Sequence, residues 1–202
     1  MLYSDHKSLD RALSDFRLVL REVHRLFENP PLIEPSQRLK DDLAEGLELA
    51  TGNSSEKSRS ELILSRVLLE IRRLFPGKVS YFSGLSFNVD ESQNLVGVCD
   101  FILGATGNQM VITALIVTIV EAKDNDLKVG MGQCVAEMVA AQVVNTRAGE
   151  FNPVYGVVST GTNWKFLMLK EQDLTIDRTE YFVNQIDLVL GILSQPFRDY
   201  FA

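Results

Sequence analysis

Met110-Val111-Ile112-Thr113-Ala114-Leu115-Ile116-Val117-Thr118-Ile119-Val120-Glu121-Ala122-Lys123 is the stretch that decides the fold. Up to Ala122 it is almost wholly apolar and rich in β-branched residues, as a central strand covered on both faces is. It then ends on a carboxylate and an ammonium. Residues i and i+2 of a strand share a face, so Glu121 and Lys123 point the same way. Upstream, Gly97-Val98-Cys99-Asp100-Phe101 sets an isolated aspartate inside a second apolar run. Two carboxylates can hold a hard divalent ion through oxygen, and a neighbouring ammonium can steer a water or steady a phosphate oxygen. Together they are the minimum equipment for metal-assisted phosphodiester hydrolysis.

The spacing sets a condition on the fold. Leu95 to Leu103 reads as a strand and Gly104 to Asn108 as a turn. A simple hairpin from that turn would pair Asp100 near Ala114, about seven residues from Glu121. At roughly 3.3 Å per residue that is too far to share a metal. The chain must therefore bend, bulge or loop between about Met110 and Leu115, and the later strand must restart beside Asp100. An unbroken hairpin would sink the metal-site reading.

Outward from this centre, Val79–Phe82 and Leu85–Val89 look extended, with a turn at Asp90–Asn94. Residues 128 to 146 read as a helix with Met131, Cys134, Val135, Met138 and Ala141 inward. Val154–Val158 and Trp164–Leu169 flank Thr160-Gly161-Thr162-Asn163, a hairpin signal. Tyr181 to Tyr200 is a closing helix. Before the strands, Leu9, Leu13, Phe16, Leu20, Val23 and Phe27 recur at helical spacing, which predicts one amphipathic helix over 8–28. Its apolar stripe packs on its own domain or forms a dimer seam. Pro35-Ser36 opens a polar helix to about Ala50. Thr51–Ser55 is a loop, and a third helix runs to about Phe75 on a stripe of Leu64, Val67, Leu68, Ile71 and Leu74. The order predicts a mixed α/β domain.

The 202 residues suffice for one domain with a substantial core and a helical extension. The formal net charge of −7 is awkward for a nucleic-acid binder, although a local basic groove remains compatible with it. The densest basic stretch, Lys57, Arg59, Arg66, Arg72, Arg73 and Lys78, is either a backbone contact or the solvated side of a helix. Two distant cysteines, Cys99 and Cys134, are in no zinc-ligand spacing and fit a reducing compartment. The start of the chain has no signal-peptide pattern, and no stretch reads as a membrane-spanning helix, so a cytoplasmic protein without membrane contact is expected.

A helix glutamate, then Asp100, then Glu121-Ala122-Lys123, then a glutamine in the next helix resembles the PD-(D/E)xK restriction-endonuclease-like superfamily. Ser55-Glu56-Lys57-Ser58-Arg59-Ser60-Glu61-Leu62-Ile63 is similar to the first core helix of nuclease domains at the N-terminus of type I restriction motor subunits. Tyr155-Gly156-Val157-Val158-Ser159-Thr160-Gly161-Thr162-Asn163-Trp164-Lys165-Phe166 looks like the hairpin that follows the active site there. The resemblance covers about residues 53 to 170. It implies a restriction-endonuclease-like α/β core, a central mixed sheet flanked by helices, in residues 53–202, with residues 1–52 as an N-terminal helical extension.

In that family pattern Asp100 and Glu121 bind Mg²⁺, with Mn²⁺ as the substitute and the Ala122 carbonyl as a third oxygen ligand. Lys123 orients water or stabilises phosphate charge; its alternative is a plain ion pair with Glu121 or Asp124. Gln133 faces the metal or a substrate phosphate, with Glu137 one turn on; both are otherwise polar positions on a half-exposed helix. Glu56 and Glu61 compete for the helix-glutamate role, and each also fits a capping-box spacing, from Asn53 and Ser58 respectively. The implied activity is Mg²⁺-dependent cleavage of DNA in restriction or defence, repair or mobile-element handling. No segment reads as a domain for recognising a base sequence, so targeting would come from substrate shape or a partner protein. The alternative is a catalytically inactive nuclease-fold module for binding or assembly, with a homodimer through the first helix.

Overall fold

The computed structural model describes residues 2–53, 55–113, 115–123 and 126–202, without the side chains of Thr51 and Asn53. Three positions weighed above lie outside these described parts: Ala114, Asp124 and the Asn53 side chain.

The third predicted helix, expected to run to about Phe75, forms as one rod in three parts. They are α3 (Glu56–Arg59), a wide π turn (Ser60–Leu64) and α4 (Ser65–Leu74). Ser55 caps it, its Oγ accepting the Ser58 N–H at 3.1 Å. Ser58 is therefore already inside the helix, and the capping box proposed from it to Glu61 does not form. The strands follow as β2 (Ser80–Ser86), β3 (Val98–Gly104) and β4 (Ile116–Ala122). Helix α5 (Leu127–Arg147) leads to β5 (Val154–Ser159) and β6 (Asn163–Lys170), the expected hairpin. The long apolar stretch is thus a strand only in its second half.

That half-strand meets the condition set by the sequence. Between Gly104 and Ile116 the chain leaves the sheet, and the β3–β4 register shifts at Leu103 and Gly104. Beyond the shift, Phe101 pairs with Val120 and Ile102 with Ile119, which brings Asp100 alongside Glu121. The restart is pinned from α5. Asn145, 3% exposed, accepts the N–H of Leu115 and of Ile116 through Oδ1, each at 2.9 Å. It also donates Nδ2 to the Ile116 carbonyl at 2.8 Å. Leu115 takes a left-handed backbone, φ +75°, that a leucine adopts only when its surroundings hold it there.

The single helix expected over 8–28 does not form. Helix α1 covers Leu9–Phe16 and stops where Arg17 turns left-handed (φ +54°), a common helix ending. Val19–Val23 then becomes β1, an edge strand parallel to β7 (Asp173–Asp177). Its side chains are largely exposed, so it lacks the alternation that marks a half-buried strand. Strand β7, the two-residue β8 (Tyr181–Phe182) and the late start of α6 (Ile186–Phe201) also depart from the reading of the C-terminal third. Pro35-Ser36 does open α2 (Gln37–Asn53), with Ser36 Oγ accepting the Leu39 N–H at 3.2 Å.

The sheet is mixed and eight-stranded, in the order β1-β7-β6-β5-β4-β3-β2, with β8 pairing beside β6. β4 and β5 run parallel, as do β1 and β7, and the other neighbours are antiparallel. One face is covered by α1 and α5, the other by α2, the π turn, α4 and α6. This is an α/β fold of three layers. The first fifty residues are integral to it: α1 turns Leu9, Leu13 and Phe16 onto the α5 layer, and Leu39 and Leu43 of α2 are buried in the opposite core. Among the described residues no helix is long and apolar enough to cross a membrane.

Candidate active site

The two carboxylates meet at the ends of neighbouring antiparallel strands. Asp100 Oδ2 accepts the Ala122 N–H at 2.8 Å, so the aspartate replaces a backbone acceptor just where the β3–β4 ladder ends. In an extended residue the N–H and C=O point to the same edge, which turns the Ala122 carbonyl toward the Asp100 side as well. Glu121 is fully buried, and among the described residues its Oε2 has no hydrogen-bond partner. Its one close neighbour of opposite sign is Lys123, whose Nζ lies 2.5 Å from Oε1 as an ion pair. The same ammonium is 3.9 Å from Glu56 Oε2.

Helix α5 closes the site. Gly130 lets it lie against Lys123: a Cβ there would stand 2.8 Å from Lys123 Cγ and from Val158 Cγ1. One turn further on, Gln133 Nε2 donates to Glu137 Oε1 at 3.1 Å, and Glu137 Oε2 has no partner. Glu137 is fully buried, so the half-exposed position expected for it is overturned. Periodicity hinted at this: Cys134 and Met138, its inward neighbours, put Glu137 beside the buried stripe. Gln133 is half-buried.

Of the two helix glutamates, α3 turns Glu56 to the site. Glu61 falls in the π turn that follows, on a different face of the rod. It lies on the surface, 3.7 Å from Lys57 Nζ, and has no place in the cluster. The basic stretch also disperses. Arg73 pairs with Glu70 at 3.0 Å, Lys78 lies over the Phe201 ring, and Arg72 is exposed on α4. Arg59 turns inward, Nη1 donating to the Thr160 carbonyl at 3.2 Å, and Arg66 is half-buried on α4. Trp164 is core. Cys99 and Cys134 are buried free thiols, and burial pushes both up.

A scan against protein-family models and a search of curated proteins both return no match for this chain.

The electrostatics follow from burial. Desolvation, reinforced by the Asp100 charge, pushes the Glu121 carboxyl up to about 8. Glu137 is raised by burial and then by Glu121. Asp100 is raised by burial, against the Ala122 N–H and Lys123, which favour its charged form. Burial by itself would lower the Lys123 ammonium, but Glu121, Glu56 and Asp100 around it hold it above the ordinary lysine value. Glu121, Glu56 and Asp100 thus share one ammonium. Leaving a buried carboxylate oxygen unpaired is costly, and a cation is one group that would complete such a site.

Among the described residues no three His, Cys, Asp or Glu side chains converge closely enough to hold a metal between them. The set that fits is smaller: Asp100, Glu121 and the Ala122 carbonyl. Hard oxygen donors in that number suit Mg²⁺, which keeps several of its waters.

Proposed function

We propose that this chain is a Mg²⁺-dependent nuclease of restriction-endonuclease-like fold that hydrolyses phosphodiester bonds of DNA. The observation that carries the proposal is Glu121, a buried carboxylate held against Lys123 with its second oxygen unpartnered among the described residues, beside an aspartate that a strand restart has delivered to it. The strand order β2-β3-β4-β5, antiparallel until the parallel β4–β5 step made through α5, supports the fold reading.

Asp100, Glu121 and the Ala122 carbonyl would hold the ion. When bound, it supplies Lewis acidity and charge neutralisation for attack of water on phosphorus, with rupture of the bond to the leaving sugar oxygen. Lys123 keeps its proton and stands ready to donate to a nonbridging phosphate oxygen or to orient the water. Glu56 fixes the ammonium from the far side, and Gln133 orients the carboxylate of Glu137.

The test is calorimetric titration of Mg²⁺ and Mn²⁺ into the wild type and Asp100→Ala, with cleavage of single- and double-stranded DNA followed alongside. We expect binding and cleavage in the wild type and neither in the variant. Among the described residues no third carboxylate joins Asp100 and Glu121, which favours the second reading, an inactive module that keeps the fold for binding or assembly. Absence of both metal binding and cleavage in the wild type would establish that reading in place of the first.

A further inference from the structure

A trench runs along the N-terminal end of α5. Its first lobe, about 400 Å³, is lined by Arg59, Lys128, Thr160 and Lys165 among others. Arg59 stands on the same face of α3 as Glu56, one turn on, and Glu56 in turn lies 3.9 Å from the Lys123 ammonium. The farther lobe, about 560 Å³, shares Lys128, Met131 and Lys165 with the first and runs on to Lys7 and Arg178. The two lobes are neighbours across Lys128, Met131 and Lys165, on a molecule whose overall charge is −7.

Five cations line the trench against three carboxylates, Glu22, Asp126 and Glu180. Two of the three are engaged: Asp126 caps α5 by accepting the Lys128 N–H at 2.8 Å, and Glu22 lies 4.0 Å from Arg178. Lys128 and Lys7 are exposed, and among the described residues neither has a carboxylate partner. Arg59 keeps a buried Nε–H with no acceptor. Lys165, 8% exposed, donates to the Arg178 carbonyl at 3.0 Å and so fixes the trench's far wall. None of the described lining residues is aromatic, which removes the stacking platforms that proteins use to grip bases.

We infer that this trench is the substrate track: it seats one polynucleotide strand through its phosphates, on the α5–β7 side of the cleavage site, without reading bases. The inference rests on the nuclease reading for the meaning of the site and extends it to how the strand is held. Lys7, Lys128 and Arg178 contact successive phosphates, and Arg59 adds positive charge at the end of the track nearest Glu56 and Lys123. Contacts of this kind position a strand and carry no sequence information.

The test is fluorescence anisotropy with a labelled oligothymidylate in EDTA, so that the probe is not cleaved and no metal contributes. The proteins are wild type, the double variant Lys128→Glu/Arg178→Glu, and Arg72→Glu as a charge-changing control on the exposed face of α4. Mg²⁺ calorimetry and far-UV circular dichroism are run on the same samples. We expect the double variant to bind about tenfold or more weakly, with the slope of log K against log salt reduced by roughly 0.7 per lost contact. The control should bind like the wild type, and Mg²⁺ affinity should be kept in all three. Equal affinity and slope in wild type and double variant would overturn the track. So would a wild type that takes up Mg²⁺ but no oligonucleotide, a result that leaves the metal site standing. Trench-dependent binding with no Mg²⁺ uptake would support the track and remove the nuclease reading.

Discussion

Glu121 is the residue on which both chemistry and stability turn. Its carboxyl is buried, faces Asp100 and Glu137, and has Lys123 as its counter-charge. Removing the charge should relieve the fold while destroying the site. We expect Glu121→Gln to stabilise the metal-free protein at pH 8 by about 1–3 kcal/mol in urea denaturation, with Mg²⁺ binding lost. A loss of stability would show that the carboxylate is a structural group. The same residue sets a pH dependence. Its folded pKa, about 8, lies above the ordinary value of 4.5, so between these pH values the folded state holds a proton that the unfolded chain has released. The metal-free protein should therefore lose stability as pH rises from 4.5 to 8, by this group's contribution. Because the ion needs the carboxylate, Mg²⁺ should raise the thermal midpoint more at pH 8 than at pH 5.5, with proton release on binding. A midpoint shift independent of pH would refute the assignment of Glu121 as a ligand.

At the scale of elements, the site depends on where β4 begins. Asn145 makes three hydrogen bonds to Leu115 and Ile116 from the far end of α5, and so determines which residue of the strand lies beside Asp100. Replacing it strands two buried N–H groups and a carbonyl. We expect Asn145→Leu to destabilise by about 2–4 kcal/mol in denaturant titration and to weaken Mg²⁺ binding, although it touches no site residue. Destabilisation with full metal affinity would show that the strand keeps its register without the clamp. The helix glutamates illustrate the same dependence on element geometry. Sequence left Glu56 and Glu61 open, since each had an acceptable spacing. The rotation of α3 selects Glu56 and leaves Glu61 with Lys57 on the surface.

For the molecule as a whole, the N-terminal residues belong to the fold that holds the site. Tyr3 and Ala12 are buried against the α5 layer, with Leu9, Leu13 and Phe16 packed on it, and β1 extends the sheet beyond β7. Deleting residues 1–28 uncovers that layer. We expect a loss of about 3–5 kcal/mol in unfolding free energy and increased binding of a hydrophobic dye. A truncated chain as stable as the parent would show the segment to be an appendage, the role expected of it as an assembly helix.

Short-range pattern made much of this protein legible. A two-residue period placed Glu121 and Lys123 on one face. A four-residue helical spacing set Glu137 one turn beyond Gln133, and Thr160-Gly161-Thr162-Asn163 announced the β5–β6 hairpin. The need for a break before Leu115 also followed from the chain alone, because strand rise converts residue number into distance. Other features were decided by contacts between residues far apart in sequence. Asn145 positions β4, the N-terminal segment covers α5, Val19–Val23 pairs with β7 although its spacing suits a helix, and Lys128, Lys165 and Arg178 meet in one trench from three elements. Periodicity reports which face of an element is apolar; only packing decides what that face meets, and therefore which carboxylates are buried and which groups they meet there.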